Sequence, residues 1–542
     1  MDPRGWVLVL PDQLHPGIGP LADGVHGRRV VLVESREWLS RRPYHAQRVA
    51  LILLNQRAFV DELRAAGAEV RELHTDGPVV DALRGFVTEQ GPLTAAEPTE
   101  REMRAELAPL AAAGALAWVP NRSWLSSDAD FRAAHTAGGG YRMDAFYRAL
   151  RRRTGILMEP DGSFTGGRLS FDTENRERWD GIPAAPEPPR FAMDERRRQV
   201  ARDVAERFAA HPGRLDLEAL PATRADAERL WSWAVRHCLP HFGPFEDAIS
   251  TRSTGLFHTR ISPALNLGRI LPRELVDGAL ASGAPIQSVE GFVRQVLGWR
   301  EFVRHVHAAT DGFRQDARVA GAPGDAGFRA WAGRAWQPAA APPAGVDGGG
   351  CPSHLGAATP LPPAYWGAPS GLRCLDTVVA GVWDEAWSHH ITRLMVLGNV
   401  ASLLDVDPRA LTDWFWVAYM DAWDWVVEPN VLGMATFAAG GVMTTKPYVA
   451  GAAYIDRMGD CCEGCAFTPG RTCPLTRLYW AFLARHEPVL RTNPRMAQVM
   501  ASLRRRAPEE RSRDSAAFVH VRDVLMRGER LVPDPSFERS KR

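Results

Sequence analysis

The residues best suited to chemistry are cysteines. Cys461-Cys462-Glu463-Gly464-Cys465 is followed by Cys473-Pro474. A C-x-x-C pair lets two thiolates reach one metal without backbone strain, and a third cysteine beyond a short loop fills three of the four positions of a tetrahedral zinc or iron–sulfur site. Cys374, Cys351 and Cys461 are the candidates for the fourth. Adjacent residues seldom both bind one metal, and Cys351 lies in a Gly- and Pro-rich stretch, so the expected set is Cys374, Cys462, Cys465 and Cys473. This spacing admits zinc, an iron–sulfur cluster or buried free thiols.

Next come His389 and His390, in EAWSHHITRLMVLGN (385–399). Leu394, four residues after His390, shares its helical face. Adjacent helical residues point about 100 degrees apart, so at most one imidazole faces a given pocket. There it suits proton transfer near neutral pH; elsewhere it is a satisfied core or capping group. DPRALTDWFWVAYMDAWDWVVEPN (407–430) opens with Asp407 as N-cap and Pro408 at the first helical position, which places Trp414, Ala418, Asp421 and Trp425 on one face. Such indoles usually pack a core, and they also suit one-electron transfer to a redox-active ring. Lys446, in GGVMTTKPYVAGAAYI (440–455), is one of two lysines among 65 basic residues, the other being Lys541. Either chance or a need for a compact ammonium in place of a planar guanidinium keeps it there.

These groups need a scaffold. A chain of 542 residues has room for about three to four domains, or two large ones. Lys+Arg 65 against Asp+Glu 64 leaves +1, which excludes attachment to nucleic acid or membrane by bulk charge and leaves an anionic partner to local patches such as 151–153 and 504–506. Hydrophobic residues make up 45% and charged ones 24%; no run of about 18 apolar residues could span a bilayer. The charged N-terminus is unlike a secretory signal, and seven cysteines are too few and too uneven for a disulfide scaffold, so the expected location is the cytoplasm.

Residues 6–10 (WVLVL) and 29–33 (RVVLV) read as strands, and Tyr44–Ala66 as a helix stopped by Gly67. Residues 1–135 are therefore expected to form an α/β domain, a doubly wound parallel sheet whose ligand crevice lies at the carboxyl ends of the strands. Asp12, Gln13 and Leu14 follow the first strand and Glu34 the second, at that edge; no G-x-G-x-x-G accompanies them, so a simple nicotinamide site is not expected. Residues 136–222, with the polar stretch 161–190, read as an interdomain connection. Helical periodicity dominates 223–500, with helices expected at 223–238, 289–308, 376–403, 408–427 and 474–487 and a flexible loop at 335–369. Residues 501–542, with 11 basic against 7 acidic side chains, read as a basic tail.

In order along the chain, Asp12-Gln13-Leu14, PNRSWL (120–125), FYRALRRRTGILM (146–158), GGRLSFDTENR (166–176), HTRISPALNLGRILP (258–272), EGFVRQVLGWREFVRHV (290–306), HHITRLMVLGN and TKPYVAGAAYI with the cysteines resemble the iron–sulfur bacterial cryptochrome and photolyase family. The best-known activity of that family is that of the prokaryotic (6-4) photolyases. The resemblance implies an α/β antenna domain before a large all-helical domain that holds FAD. It also implies a 4Fe-4S cluster on Cys374, Cys462, Cys465 and Cys473, with Cys461 at a position often aromatic in the family. The implied FAD contacts are His258, Ser262, Asn266, Trp299, Arg300, Asp421 and Asn430. A 6,7-dimethyl-8-ribityllumazine antenna is implied near Asp12, Gln13, Glu34 and His45.

The implied activity is light-driven electron donation from reduced FAD to a pyrimidine–pyrimidone (6-4) photoproduct flipped out of UV-damaged double-stranded DNA. By the resemblance His390 gives the proton, His389 supports it, Tyr448 and Tyr454 line the lesion pocket with Lys446 close by, and Trp414 and then the surface-ward Trp366 recharge the flavin. A monomer is expected. The alternative is a blue-light photoreceptor with the same cofactors and no repair; a nucleic-acid-binding module without photochemistry is more distant. Three departures bear on flavin protonation and photoreduction more than on fold: Phe415 stands where a tyrosine is usual, Val427 displaces the acidic group of the W-V-E-x-P-N motif by one position, and Ala439 replaces the aspartate of a D-G-G.

Overall fold

The computed structural model describes residues 5–135, 139–315, 336, 343–534 and 537. Short aliphatic runs form five parallel strands, β1 (Trp6–Leu8), β2 (Arg29–Ser35), β3 (Glu69–Thr75), β4 (Leu93–Ala96) and β5 (Leu116–Val119), ordered β3-β2-β1-β4-β5. Val30, Val31 and Leu32 are consecutive and all buried, as in a parallel strand covered on both faces. Helices Ala46–Ala65, Val79–Gln90 and Arg101–Ala112 make the crossovers after β2, β3 and β4. The strand order reverses between β1 and β4, the place where such sheets open a ligand crevice. Gly67, at φ 85°, turns the chain after the first crossover helix, as expected from its position.

The loop after β1 is tied to the second half of the chain. The Leu14 amide donates to the Leu267 carbonyl at 2.9 Å, and Arg269 donates to the Leu14 carbonyl at 3.1 Å. Gly268, at φ 76°, is required here, because a Cβ would stand 3.2 Å from the Asp12 carbonyl oxygen. A buried ion-pair network lies nearby. Arg41 pairs with Glu37 and Glu106 at 2.8 and 2.9 Å, while Arg42 pairs with Glu102 at 2.8 Å and lies 3.8 Å over the ring of Trp416. Asp424, from the helical half, accepts from the Arg101 and Glu102 amides at 2.6 and 3.1 Å and so caps a helix of the α/β half.

From Arg224 onward the chain is helical. The expected helix at 223–238 runs from Arg224 through Phe242, that at 289–308 from Ile286 through Ala309, and that at 474–487 as Pro474–Arg485. Asp407 caps Pro408–Ala418, accepting from the Arg409 and Ala410 amides at 2.7 and 3.0 Å. Two expected helices are broken. That at 376–403 ends at Ala386, φ 52°, and resumes beyond His389. That at 408–427 stops at Ala418 and restarts at Asp424, so Asp421 sits in a turn and does not share a helical face with Trp414. The cause is tertiary, since the turn delivers Asp421 to the partners described below. Wide π-helical turns at Arg294–Arg300, Thr392–Gly398 and Pro429–Ala435 lie in or beside the expected flavin segments, where such insertions re-aim side chains.

Two further expectations meet the structure differently. Within the stretch read as a tail, Pro508–Met526 is a helix whose Phe518, Val521 and Leu525 are buried, and Arg477 pairs with its Glu510 and Asp514 at 2.6 and 3.1 Å. Charge alone concealed this apolar face. The expected loop at 335–369 lies partly outside the described residues; its described part carries the short turn Pro363–Trp366. No described helix is long and apolar enough to cross a membrane.

Glu102→Ala leaves Arg42 buried without its counter-charge. The expected loss is about 3–5 kcal/mol of stability, read as a lowered urea midpoint; an unchanged midpoint would show that the Arg42–Glu102 pair does not stabilise the fold.

Candidate active site

Asp421 is the hub of the helical half. Its carboxylate accepts from both terminal nitrogens of Arg393 at 3.0 and 2.9 Å and from the Ser262 hydroxyl at 2.6 Å, and its backbone carbonyl accepts from Asn266 at 2.9 Å. Ser262 in turn accepts from the Trp387 indole at 3.3 Å. Three of the expected flavin residues, Ser262, Asn266 and Asp421, thus share one hydrogen-bonded cradle. Arg300 joins them at 3.5 Å from Asn266.

His258 reaches the same region from the other side. Its ring stacks on His389 at 4.4 Å and 11°, and His390 meets it edge-on at 5.4 Å. Burial drives the pKa of His258 and of His389 well below the usual histidine range, so both rings are neutral. His258 Nε2 and His389 Nδ1 are buried without a hydrogen-bond partner, which marks positions awaiting a polar ligand. The ring nitrogens of the three histidines lie within 4.8 Å of one another, but parallel rings aim their in-plane lone pairs past each other, so the group is a poor cage for one ion.

His390 is the open member of the set. Its Nε2 lies 3.8 Å from Asp247 Oδ1, and the Tyr454 hydroxyl donates to the other oxygen of Asp247 at 3.5 Å. Burial, followed by the Asp247 charge, pushes the Tyr454 phenol up. Tyr448 is half-buried, with its phenol raised by burial and by Asp172 and Asp144, and Lys446 is exposed in the same segment.

The expected electron-transfer pair is joined by a third indole. Trp366 stacks on Trp383 at 5.5 Å, and Trp383 meets Trp414 edge-on at 6.2 Å. Trp414 lies 6.0 Å from Tyr419, whose ring stacks on Phe415 at 5.4 Å and sits 4.0 Å under the Arg393 guanidinium.

Cys374, Cys461, Cys462, Cys465 and Cys473 line one recess of about 300 Å³, with Leu372, Ile455 and Phe467 among its apolar walls. Gly464, at φ 70°, makes the C-x-x-C turn. Cys374 opens helix Arg373–Glu385 and Cys473 caps helix Pro474–Arg485, so two positive helix ends face the thiols. Burial pushes Cys462 and Cys473 up to about 12; a cation must displace their protons. Among the described residues the histidine group alone gathers three ligand atoms within 4.8 Å, so no three of the thiols stand that close together, whereas the edge of a tetrahedron with 2.3 Å zinc–sulfur bonds is ~3.8 Å. Cys351 bonds instead to the Gly349 carbonyl, at 3.8 Å, and Cys238 is buried elsewhere.

The expected antenna residues separate. Asp12 lines a recess of about 290 Å³ at the β1/β4 reversal, with Thr99, Asn121, Trp124, Asn266 and Arg300. Burial raises Asp12 to about 6 and lowers Arg300 to about 10, and Arg300 Nη1 has no hydrogen-bond partner. Gln13 donates across the reversal to the Ala96 carbonyl at 3.0 Å. Glu34 is occupied by Arg57 and Arg207, each at 3.0 Å. His45 caps its helix through Nδ1 and bonds the Trp383 carbonyl through Nε2 at 3.0 Å, which leaves neither nitrogen for a ligand. Of the other two expected flavin contacts, Asn430 donates to the Val426 carbonyl at 2.8 Å, and Trp299 packs 6.1 Å from Phe302.

The family profile described as deoxyribodipyrimidine photo-lyase-related protein matches residues 7–219. The (6-4) photolyase of Agrobacterium fabrum is 33% identical over 540 residues, covering 95% of this chain and 99% of that protein. The chain belongs to this photolyase-related family. A bacterial class III photolyase from Agrobacterium tumefaciens superposes with a TM-score of 0.53 at 15% identity, over 96% of this chain and 98% of that one. A Synechocystis cryptochrome superposes at 0.52 and 12%, over 98% and 99%. These two likenesses confirm the cryptochrome/photolyase architecture, and family membership implies FAD.

Within this photolyase-related fold, sequence reasoning missed Asp247, Trp383, Arg393 and Tyr419. Arg393 lies inside the HHITRLMVLGN motif and could have been read as a partner for Asp421. Asp247 and Trp383 carry no local signal. The displaced acid, Glu428, would be raised by burial, but His307, Arg409 and Arg314 at 2.9, 2.8 and 3.5 Å hold it well below the carboxylate range.

Asp12 titrates higher in the fold than in the unfolded chain, so the folded state keeps a proton that the unfolded state releases, and stability falls as pH rises from about 4 to about 6. With partial exposure allowed for, the fall is about 2 kcal/mol. Asp12→Asn should flatten this slope in urea titrations at each pH; an unchanged slope would place the proton elsewhere.

Proposed function

We propose that this protein is a light-driven DNA-repair enzyme acting on pyrimidine–pyrimidone (6-4) photoproducts in UV-damaged double-stranded DNA. The observation that carries the reading is 33% identity along nearly the whole chain to a (6-4) photolyase; the half-open His390 beside the unpartnered ring nitrogens of His258 and His389 supports it. Bound FAD would supply the electron. His258, Ser262, Asn266, Arg300 and Asp421 would hold it, with Trp299 and Asn430 as further contacts in this reading. The orphaned ring nitrogens of His258 and His389 fit a ligand rich in hydrogen-bonding edges.

The remaining chemistry belongs to side chains. A damaged base pair flips at least cost because its stacking is already poor. Tyr448 and Tyr454 line the pocket that receives it, and exposed Lys446 meets phosphate as a compact point charge. His390 gives a proton to the hydroxyl that must move back between the bases, with Asp247 3.8 Å from its Nε2 and neutral His389 behind it. Burial keeps His389 from competing for that proton.

The same reading assigns a 4Fe-4S cluster to Cys374, Cys462, Cys465 and Cys473. The wide thiol spacing, the apolar recess and the two helix ends favour a cluster over a single zinc. We extend the same reading to a 6,7-dimethyl-8-ribityllumazine at the β1/β4 edge beside Asp12 and Gln13, where Arg300 has an unpartnered N–H. The protein works as a monomer in the cytoplasm, with the α/β unit at 1–135 and the catalytic helical unit at 223–500.

Under blue light, the wild-type protein should clear (6-4) photoproducts from a defined duplex, followed by chromatography of the digested oligonucleotide. His390→Ala should retain FAD and lose at least 100-fold in repair, within the range expected for a general acid. Repair that survives the change would overturn the assignment, and photobleaching without repair in the wild type would favour the photoreceptor reading. In iron and sulfide analysis, Cys465→Ser should lose the cluster while Cys461→Ser keeps it; the reverse result would exchange their roles.

A further inference from the structure

We propose that Trp383 is the electron relay between Trp366 and Trp414, an assignment that rests on the flavin reading above. The expected pair do not stand alone. Trp383 fills the space between them, stacked on Trp366 at 5.5 Å and 27° and edge-on to Trp414 at 6.2 Å and 83°. Trp414 is the inner end of the path, held beside the cradle by Tyr419 at 6.0 Å, over whose ring lies Arg393, the partner of Asp421. Outward it ends at Trp366, which is half-buried.

Hydrogen bonding favours passage of charge over trapping. The indole N–H groups of Trp383 and Trp414 both donate to the Tyr365 carbonyl, each at 2.9 Å. A carbonyl oxygen is too weak a base to keep a proton, so an oxidised indole at either position retains its hydrogen and remains a strong oxidant. Phe415, 5.2 Å from Trp414, has no hydroxyl to lose in competition. His45 stacks on Trp383 at 5.8 Å and 10°, and burial lowers its pKa to about 4, so a transient positive charge on Trp383 meets a neutral ring.

The electron count closes along the path. One electron leaves Trp414 for photoexcited, oxidised flavin and leaves an indole cation radical. Trp383 reduces that radical and is oxidised in its place, and Trp366 then reduces Trp383. A soluble thiol returns Trp366 to the neutral indole, giving up one electron and releasing one proton to water as it forms half of a disulfide. Each electron that leaves Trp414 is matched by one entering at Trp366.

The test uses the full-length, flavin-loaded protein with Trp383→Phe, and with Trp383→Tyr should the first variant fold poorly. Flavin content should stay unchanged, steady photoreduction by thiol under blue light should slow at least tenfold, and flash absorption should show a short-lived tryptophan cation radical with no long-lived one. A readout independent of flavin is the exciton couplet of the Trp366–Trp383 stack in circular dichroism of the apoprotein, which should vanish in Trp383→Phe and Trp366→Phe alike. Photoreduction within twofold of wild type in Trp383→Phe, alongside its loss in Trp414→Phe, would overturn the relay alone. A wild-type protein that binds flavin but does not bleach would overturn the flavin reading and the relay with it.

Discussion

The turn at Tyr419–Trp423 is the constraint on which the site depends. Between two helices it presents Asp421 to Arg393, Ser262 and, through its carbonyl, Asn266. The α/β half grips the same turn. Arg48 donates to the Ala422 carbonyl, lies 5.3 Å over Trp423, and donates to the Trp416 carbonyl at 3.4 Å. Interrupting a helix exposes backbone groups that must find partners, and here both halves of the chain supply them. A broken helix thereby becomes the joint between the sheet and the cradle.

That joint is built from buried charge. Arg41, Arg42 and Arg48 are each about 1% exposed, and burial lowers Arg48 from its usual range, while Glu102 holds Arg42 well above its own. Guanidinium groups tolerate such sites because they spread their charge and lie flat on aromatic rings. An arginine-rich composition is therefore more than a surface habit: it supplies the planar cations that fasten the sheet edge to the helical half. With the two halves held in register, the β1/β4 recess and the Asp421 cradle keep a constant separation, since Asn266 and Arg300 border both.

Much of this was legible in the residues, where the determinant is local. The C-x-x-C turn, the aliphatic strands and the Asp407-Pro408 cap depend on neighbours a few positions away. The breaks at Ala386 and Ala418 were not legible, because residues 386–389 and 419–423 keep a helix-compatible pattern and are displaced by tertiary partners, Arg393 among them. Trp383 and Asp247 gain meaning only when Trp366 and His390 fold against them. Glu34 and His45 show the converse: their positions suggested a ligand, and nearby arginines and a backbone carbonyl claim them first.

The most direct measurement of the account is the absorbance spectrum of anaerobically purified protein before and after blue light in the presence of a reductant. Flavin bands over a broad iron–sulfur shoulder are expected, with the flavin bands bleaching in light while the shoulder persists. A spectrum without flavin would contradict it and leave the cradle around Asp421 as inherited architecture alone.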